Sequence, residues 1–109
     1  MSDKRSYVRY RVNKTAFLFT LEERSIRCYV TDLSVGGARL ALHEHDQSAA
    51  HACALLMVDE SLLYPCWTRW QDNGLVGVSF SGQPELVGAP AEEVIRSHRE
   101  RTLFEDADN

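Results

Sequence analysis

Six short stretches of this chain alternate apolar and polar residues with a period of two, and that period limits its fold more than any other feature. In "AFLFTL" Phe17, Phe19 and Leu21 share a face; in "SIRCYVTD" Ile26, Cys28 and Val30 alternate with Arg27, Tyr29 and Thr31; in "ARLAL" Leu40 and Leu42 alternate with Arg39 and Ala41. "ACALLMVD", "LLYPCWTRWQ" and "LVGVSF" supply three more candidates. A strand sends successive side chains to opposite faces, so each stretch reads as a half-buried strand. The "DNG" at residues 72–74 holds the Asn-Gly pair that best marks a tight hairpin. Pro65 lacks an N–H donor and belongs at an edge or bulge. Short strands separated by turn signals at roughly 8–12-residue spacing predict a sandwich or barrel.

The tail changes period. In "PAEEVIRSHRERTLF" Pro90 stands near the start, Glu92 and Glu93 fall in the first turn, and Val94, Arg101 and Leu103 lie around it. This predicts one terminal helix whose apolar side covers the strands. The chain thus divides into a flexible basic arm over residues 1–12, an antiparallel β-barrel over 13–83, and a helix and tail over 84–109, together one domain. At 109 residues and 44% hydrophobic content, one independent core is what the length supports. No run of 18 apolar residues and no signal-peptide core is present, so a cytoplasmic chain without a membrane segment is expected.

Charge and cysteine use narrow the function. Three cysteines, Cys28, Cys53 and Cys66, make an odd and sparse set without a C-x-x-C pair, and read as reduced, mostly buried thiols. A net charge of −4 argues against a general nucleic-acid binder. The charge is uneven, however: eight of the twelve basic residues lie within the first 39 positions, which suits an anionic partner near the N-terminus.

Two motifs carry chemistry. "KRSYVRYRV", residues 4–12, spaces Arg5 and Arg9 as R-x-x-x-R beside Lys4 and Arg11. "TDLSVGGARL", residues 31–40, packs Asp32, Ser34, Gly36 and Gly37 into the connection between the second and third strands. A turn alone explains part of the second motif, since Asp and Ser side chains bond nearby backbone N–H groups and glycine accepts positive φ. Trp67 and Trp70, three apart on one strand, should point to opposite faces, so one fills the core and the other can stack on a base. His43, His45, His51 and Cys53 include zinc-ligand types, but their spacing is unlike a structural zinc site and no metal is expected. Neither a nucleophile elbow nor a phosphate loop is present, so the chain reads as a binding protein rather than an enzyme.

R-x-x-x-R followed some 20 residues later by D-x-S-x-x-G resembles the PilZ domain, a bacterial receptor module for the second messenger cyclic di-GMP. "CWTRWQDNGLVGVSF" is similar to the final hairpin of that family. The resemblance implies a six-stranded antiparallel β-barrel with a C-terminal α-helix, and a ligand site formed by Lys4, Arg5, Arg9, Asp32, Ser34, Gly36 and Gly37, with Trp70 favoured as the stacking residue. Many members carry arginine where this chain has Lys4, a position held to influence whether one ligand or a stacked pair binds. The chemistry agrees: the ligand has two phosphates and two guanines, and the arginine fork can bond phosphate, pair with guanine O6 and N7, or stack on the base. Asp32 can accept from guanine N1–H and N2–H, and Gly37 lets the backbone approach. The resemblance further implies no cofactor beyond that ligand, and signal relay to a downstream protein partner in biofilm or motility control. The alternatives are a small barrel that binds single-stranded nucleic acid and a ligand-free PilZ scaffold for protein assembly.

Overall fold

A computed structural model of the chain describes residues 8–88 and 93–96. The strands are β1 (Tyr10–Thr20), β2 (Ser25–Leu33), β3 (Gly37–Leu42), β4 (Ala52–Met57), β5 (Leu62–Asp72), β6 (Leu75–Phe80) and β7 (Glu85–Leu86), with a 3-10 turn at Gln47–His51. The six stretches read as strands become β1 to β6. They pair antiparallel in the order β4-β1-β2-β3-β6-β5, and β5 returns to β4, so the sheet closes into a six-stranded barrel. Closure removes the unpaired edges that an open sheet would expose.

Each strand contributes to the interior. Leu18 pairs with Ile26 and Ala16 with Cys28 on β1 and β2, and Val30 faces Leu40 across to β3; all six are buried. Leu55, Met57, Val76 and Val78 complete the wall. Burying a leucine here stabilises the fold by about 1.5–3 kcal/mol before its ordering cost is counted. Phe17 and Phe19 do share a face, but it is the outer one, since Phe17 pairs with Arg27 and Phe19 with Ser25. Phe19 and Leu56 are nevertheless buried there, while Leu21 lies beyond the strand and is exposed.

The Asn-Gly hairpin is present as read. Asp72 pairs with Leu75 across a two-residue turn in which Asn73 has φ 50° and Gly74 φ 81°. Positive φ at both positions matches the right-handed twist of the flanking strands. Pro65 pairs with Ala54 where β5 exchanges β7 for β6 as its neighbour, a corner at which a missing donor is tolerated. Beyond that corner the 3-10 turn lies against β5: the Thr68 hydroxyl donates to the Ala49 carbonyl at 2.6 Å and Gln71 Nε2 to the Asp46 carbonyl at 3.0 Å.

Two boundaries differ from the sequence reading. β1 begins at Tyr10, so residues 10–12 of the expected flexible arm are strand, because Val12 packs on the core and Arg11 pairs with Asp32. At the other end Glu85–Leu86 of the expected 84–109 helix and tail form strand β7, paired with β5, while residues 93–96 are helical and the rest lies outside the described residues. Among the described residues no helix is long and apolar enough to cross a membrane. Cys28 and Cys66 are buried and Cys53 is half-buried, and none of the three is in a disulfide. Burial pushes the Cys28 thiol up to about 12, and burial, helped by the neighbouring Cys53 and Cys28, does the same to Cys66. Both stay protonated and unreactive at neutral pH.

Candidate functional site

Three register shifts determine which side chains reach the outer face. Between Arg11 and Lys14, β1 spends two residues where β2 spends one; between Val30 and Asp32, β2 has Thr31 as an extra residue against β3; between Thr68 and Trp70, β5 has Arg69 as an extra residue against β6. Strict alternation would send Asp32 inward with Val30, and Trp70 inward with Thr68. An inserted residue reverses the parity of the residues after it. Asp32 therefore pairs with Arg39, and Trp70 with Gly77, on the outer face.

The result is one cross-strand row, Arg11–Asp32–Arg39–Gly77–Trp70, running over β1, β2, β3, β6 and β5. The same bulge corrects the reading of the tryptophans. They do not face opposite ways: Trp67 pairs with Ser79 and Trp70 with Gly77, both outward, and they are 51% and 43% exposed. Neither fills the core.

A cleft of about 390 Å³ lies over this row. It is lined by Arg9, Asp32, Ser34, Gly36, Gly37 and Trp70, so Arg9, the second motif and the hairpin tryptophan meet in one place. Lys4 and Arg5 lie outside the described residues. Arg39, Arg69, Gly77 and Ser79 also line the cleft and were not singled out from the sequence. Arg39 and Ser79 occupy outward positions of recognisable strands, which is the signal that could have found them. Arg69 too is outward by alternation from Trp67; it is Trp70 that the bulge moves off the alternating pattern. Three guanidiniums against one carboxylate give the lining a formal charge of +2. A low-lying positive cleft on an acidic chain focuses attraction on an anion.

Asp32 is the anchor of the row. Its carboxylate is 15% exposed, accepts from the Thr31 hydroxyl at 3.0 Å, and sits 3.6 Å from Arg39 Nε and 3.9 Å from Arg11 Nε. It belongs to β2 rather than to the turn. The turn itself is closed by Ser34: its amide donates to the Gly37 carbonyl at 2.9 Å and its hydroxyl accepts from the Gly36 amide at 3.3 Å. That part of the motif performs the turn-forming role expected of it.

Gly37 is the first residue of β3, and its φ lies outside the left-handed region. A Cβ at this position would stand 2.2 Å from the Val78 carbonyl oxygen. Close approach of β6, not positive φ, is what requires glycine. Gly77 meets the same limit from a side chain, since its Cβ would stand 2.2 Å from Trp70 Nε1 and 2.4 Å from Cε2. The indole thus lies flat on the glycine, as aromatic residues do over a bare strand position. Gly77→Ala is expected to lift the ring and change its emission, with little loss of stability because the ring is at the surface. Fluorescence in a Trp67→Phe background checks this, and an emission spectrum identical to that of Trp67→Phe alone would contradict the contact.

The histidines lie elsewhere. His51 Nδ1 is 2.5 Å from Glu22 Oε2, while His43 and His45 line a separate cleft of about 130 Å³ with Arg24 and Asp46. Among the described residues no group of three or more His, Cys, Asp or Glu is placed to hold a metal ion.

Compared with known proteins, the chain matches the family model of the PilZ domain over residues 3–96, which covers the barrel, the cleft and both motifs. No curated protein matches it.

Proposed function

The chain belongs to the PilZ domain family, a family of cyclic di-GMP receptors that bind rather than catalyse, and from that premise we propose that it binds cyclic di-GMP in the cleft over β2, β3 and β6. The observation that carries the reading is the convergence of Arg9, Asp32, Ser34, Gly37 and Trp70 on one cleft whose lining has a formal charge of +2. A ligand with two phosphates neutralises that charge. Arg5 and Arg9 close over it from the N-terminal side as phosphate and base contacts, with Lys4 adding charge. Asp32 accepts from a guanine N1–H and N2–H, Ser34 bonds phosphate or base, and Gly37 lets the backbone come close beside Gly36. Trp70 offers a flat surface for a base. Bound ligand then alters the surface that a downstream protein partner reads.

Calorimetric titration with cyclic di-GMP, GTP and a short single-stranded oligonucleotide tests this. Cyclic di-GMP should bind most tightly; preference for the oligonucleotide would replace the reading with nucleic-acid binding, and no binding of any would favour a ligand-free scaffold. Asp32→Asn keeps the shape of the side chain but removes its charge, so affinity should fall by about 1.5 kcal/mol, with a melting temperature close to the parent's. Equal affinity for the two proteins would take Asp32 out of the site.

A further inference from the structure

Trp67 serves neither the core nor the cleft: it is an exposed tryptophan that faces outward on β5 and is not among the lining residues. Its neighbour Arg69 does line the cleft. The Arg69 guanidinium lies over the Trp67 ring, 5.9 Å from the centroid, and its Nη1 donates to Ser79 Oγ at 3.4 Å. An exposed arginine side chain otherwise samples many rotamers. Here a ring face and a hydroxyl hold its fork at the cleft rim, beside the Trp70 indole.

Guanine presents two edges of opposite character. N1–H and N2–H donate; O6 and N7 accept. Asp32, a carboxylate, serves only the donating edge. It stands on β2, while the Trp70 indole lies over Gly77 on β6, two strand spacings or about 10 Å away, so the two ends of the cleft can address different bases. The β5 end has an aromatic surface and one fork-shaped double donor, which is the complement of a stacked guanine's O6 and N7.

We infer that Arg69 is a specificity-determining residue of this cleft, pairing bidentately with O6 and N7 of a guanine stacked on Trp70, and that Trp67 is the positioning residue that presents it. The inference rests on the proposed cyclic di-GMP reading and extends it to a second guanine contact outside both sequence motifs. Adenine carries a donor, N6–H, where guanine carries O6, so the same fork disfavours an adenine dinucleotide.

The test is titration of the parent, Arg69→Ala, Arg69→Lys, Trp67→Ala and Trp67→Phe with cyclic di-GMP and with cyclic di-AMP. Arg69→Ala is expected to weaken cyclic di-GMP binding about tenfold or more while changing cyclic di-AMP binding much less, so that the preference between them shrinks about tenfold. Arg69→Lys should lose nearly as much, since charge without the fork does not read the edge. Trp67→Ala should show a smaller loss in the same direction, restored in Trp67→Phe. Equal weakening for both dinucleotides would make Arg69 a general anion contact and overturn the inference, as would unchanged affinity. A parent that ignores cyclic di-GMP would instead overturn the proposed function, and the inference with it.

Discussion

Gly37→Val is expected to lose both stability and ligand. A Cβ there would stand 2.2 Å from the Val78 carbonyl oxygen and 3.4 Å from the Ser79 Cα, and both neighbours are backbone. No rotamer change can relieve such a contact, so β3 and β6 must separate where Gly37 pairs with Ser79. Forcing excess volume into a fixed space costs about 2 kcal/mol or more, which for a domain of this size lowers the melting temperature by roughly 8 °C or more. Because Gly37 also lines the cleft, affinity should fall with it. Val35→Ala is the control: that side chain is 83% exposed in the same turn, and both quantities should stay at the parent values. Thermal melts and titration of the two variants decide it, and a Gly37→Val protein that melts and binds like the parent would end the close-approach argument.

The arginines should behave in the opposite way. Arg9 is exposed and contributes to the cleft rather than to the core, so Arg9→Ala should leave the melting temperature nearly unchanged. Loss of charge-assisted bonds made to ligand should nevertheless weaken cyclic di-GMP binding by about 2 kcal/mol or more, roughly thirtyfold. Arg5→Ala is expected to do the same. Arg9→Lys should also bind poorly, because an ammonium keeps the charge and loses the planar fork. Binding should weaken as salt is raised, as expected for exposed charges that meet a dianion. Titration at two ionic strengths with parallel melts checks all of this, and unaltered affinity in both alanine variants would take Arg5 and Arg9 out of the site.

How much of this was legible depends on whether a feature lives in one strand or between two. Period two located all six barrel strands, and Asn73-Gly74 located the hairpin, because both are local. The second motif, Arg9 and Trp70 could be grouped from their order along the chain, and Arg9, Asp32, Ser34, Gly36, Gly37 and Trp70 line one cleft. Register was not legible. Thr31 and Arg69 look like ordinary alternating residues until their neighbours on β3 and β6 are known, and each reverses the facing of the residues after it. The tryptophans were misassigned for that reason alone. Gly37 could be read as a φ requirement or a close approach, and only the position of Val78 separates the two. Phe19 exposes a related blind spot: alternation shows which residues share a face but not which face turns inward, and here the smaller Ala16 and Leu18 do.

The inserted residues have a consequence for how such a receptor can diversify. Arg39, Arg69, Trp70 and Ser79 line the cleft from outward positions while Val30, Leu40 and Val76 face the interior of the same strands, so a change at one of the first four leaves the last three in their packing. Specificity can then drift by single substitutions without first acquiring compensating stability, the usual toll on new function. Straightening the bulge at Thr31 or Arg69 with the residue kept is another matter: strict alternation would turn Asp32 or Trp70 toward an apolar interior that has no place for a carboxylate or an indole. The lineage of such a domain should therefore be freer in the identity of its cleft residues than in the register its two bulges set.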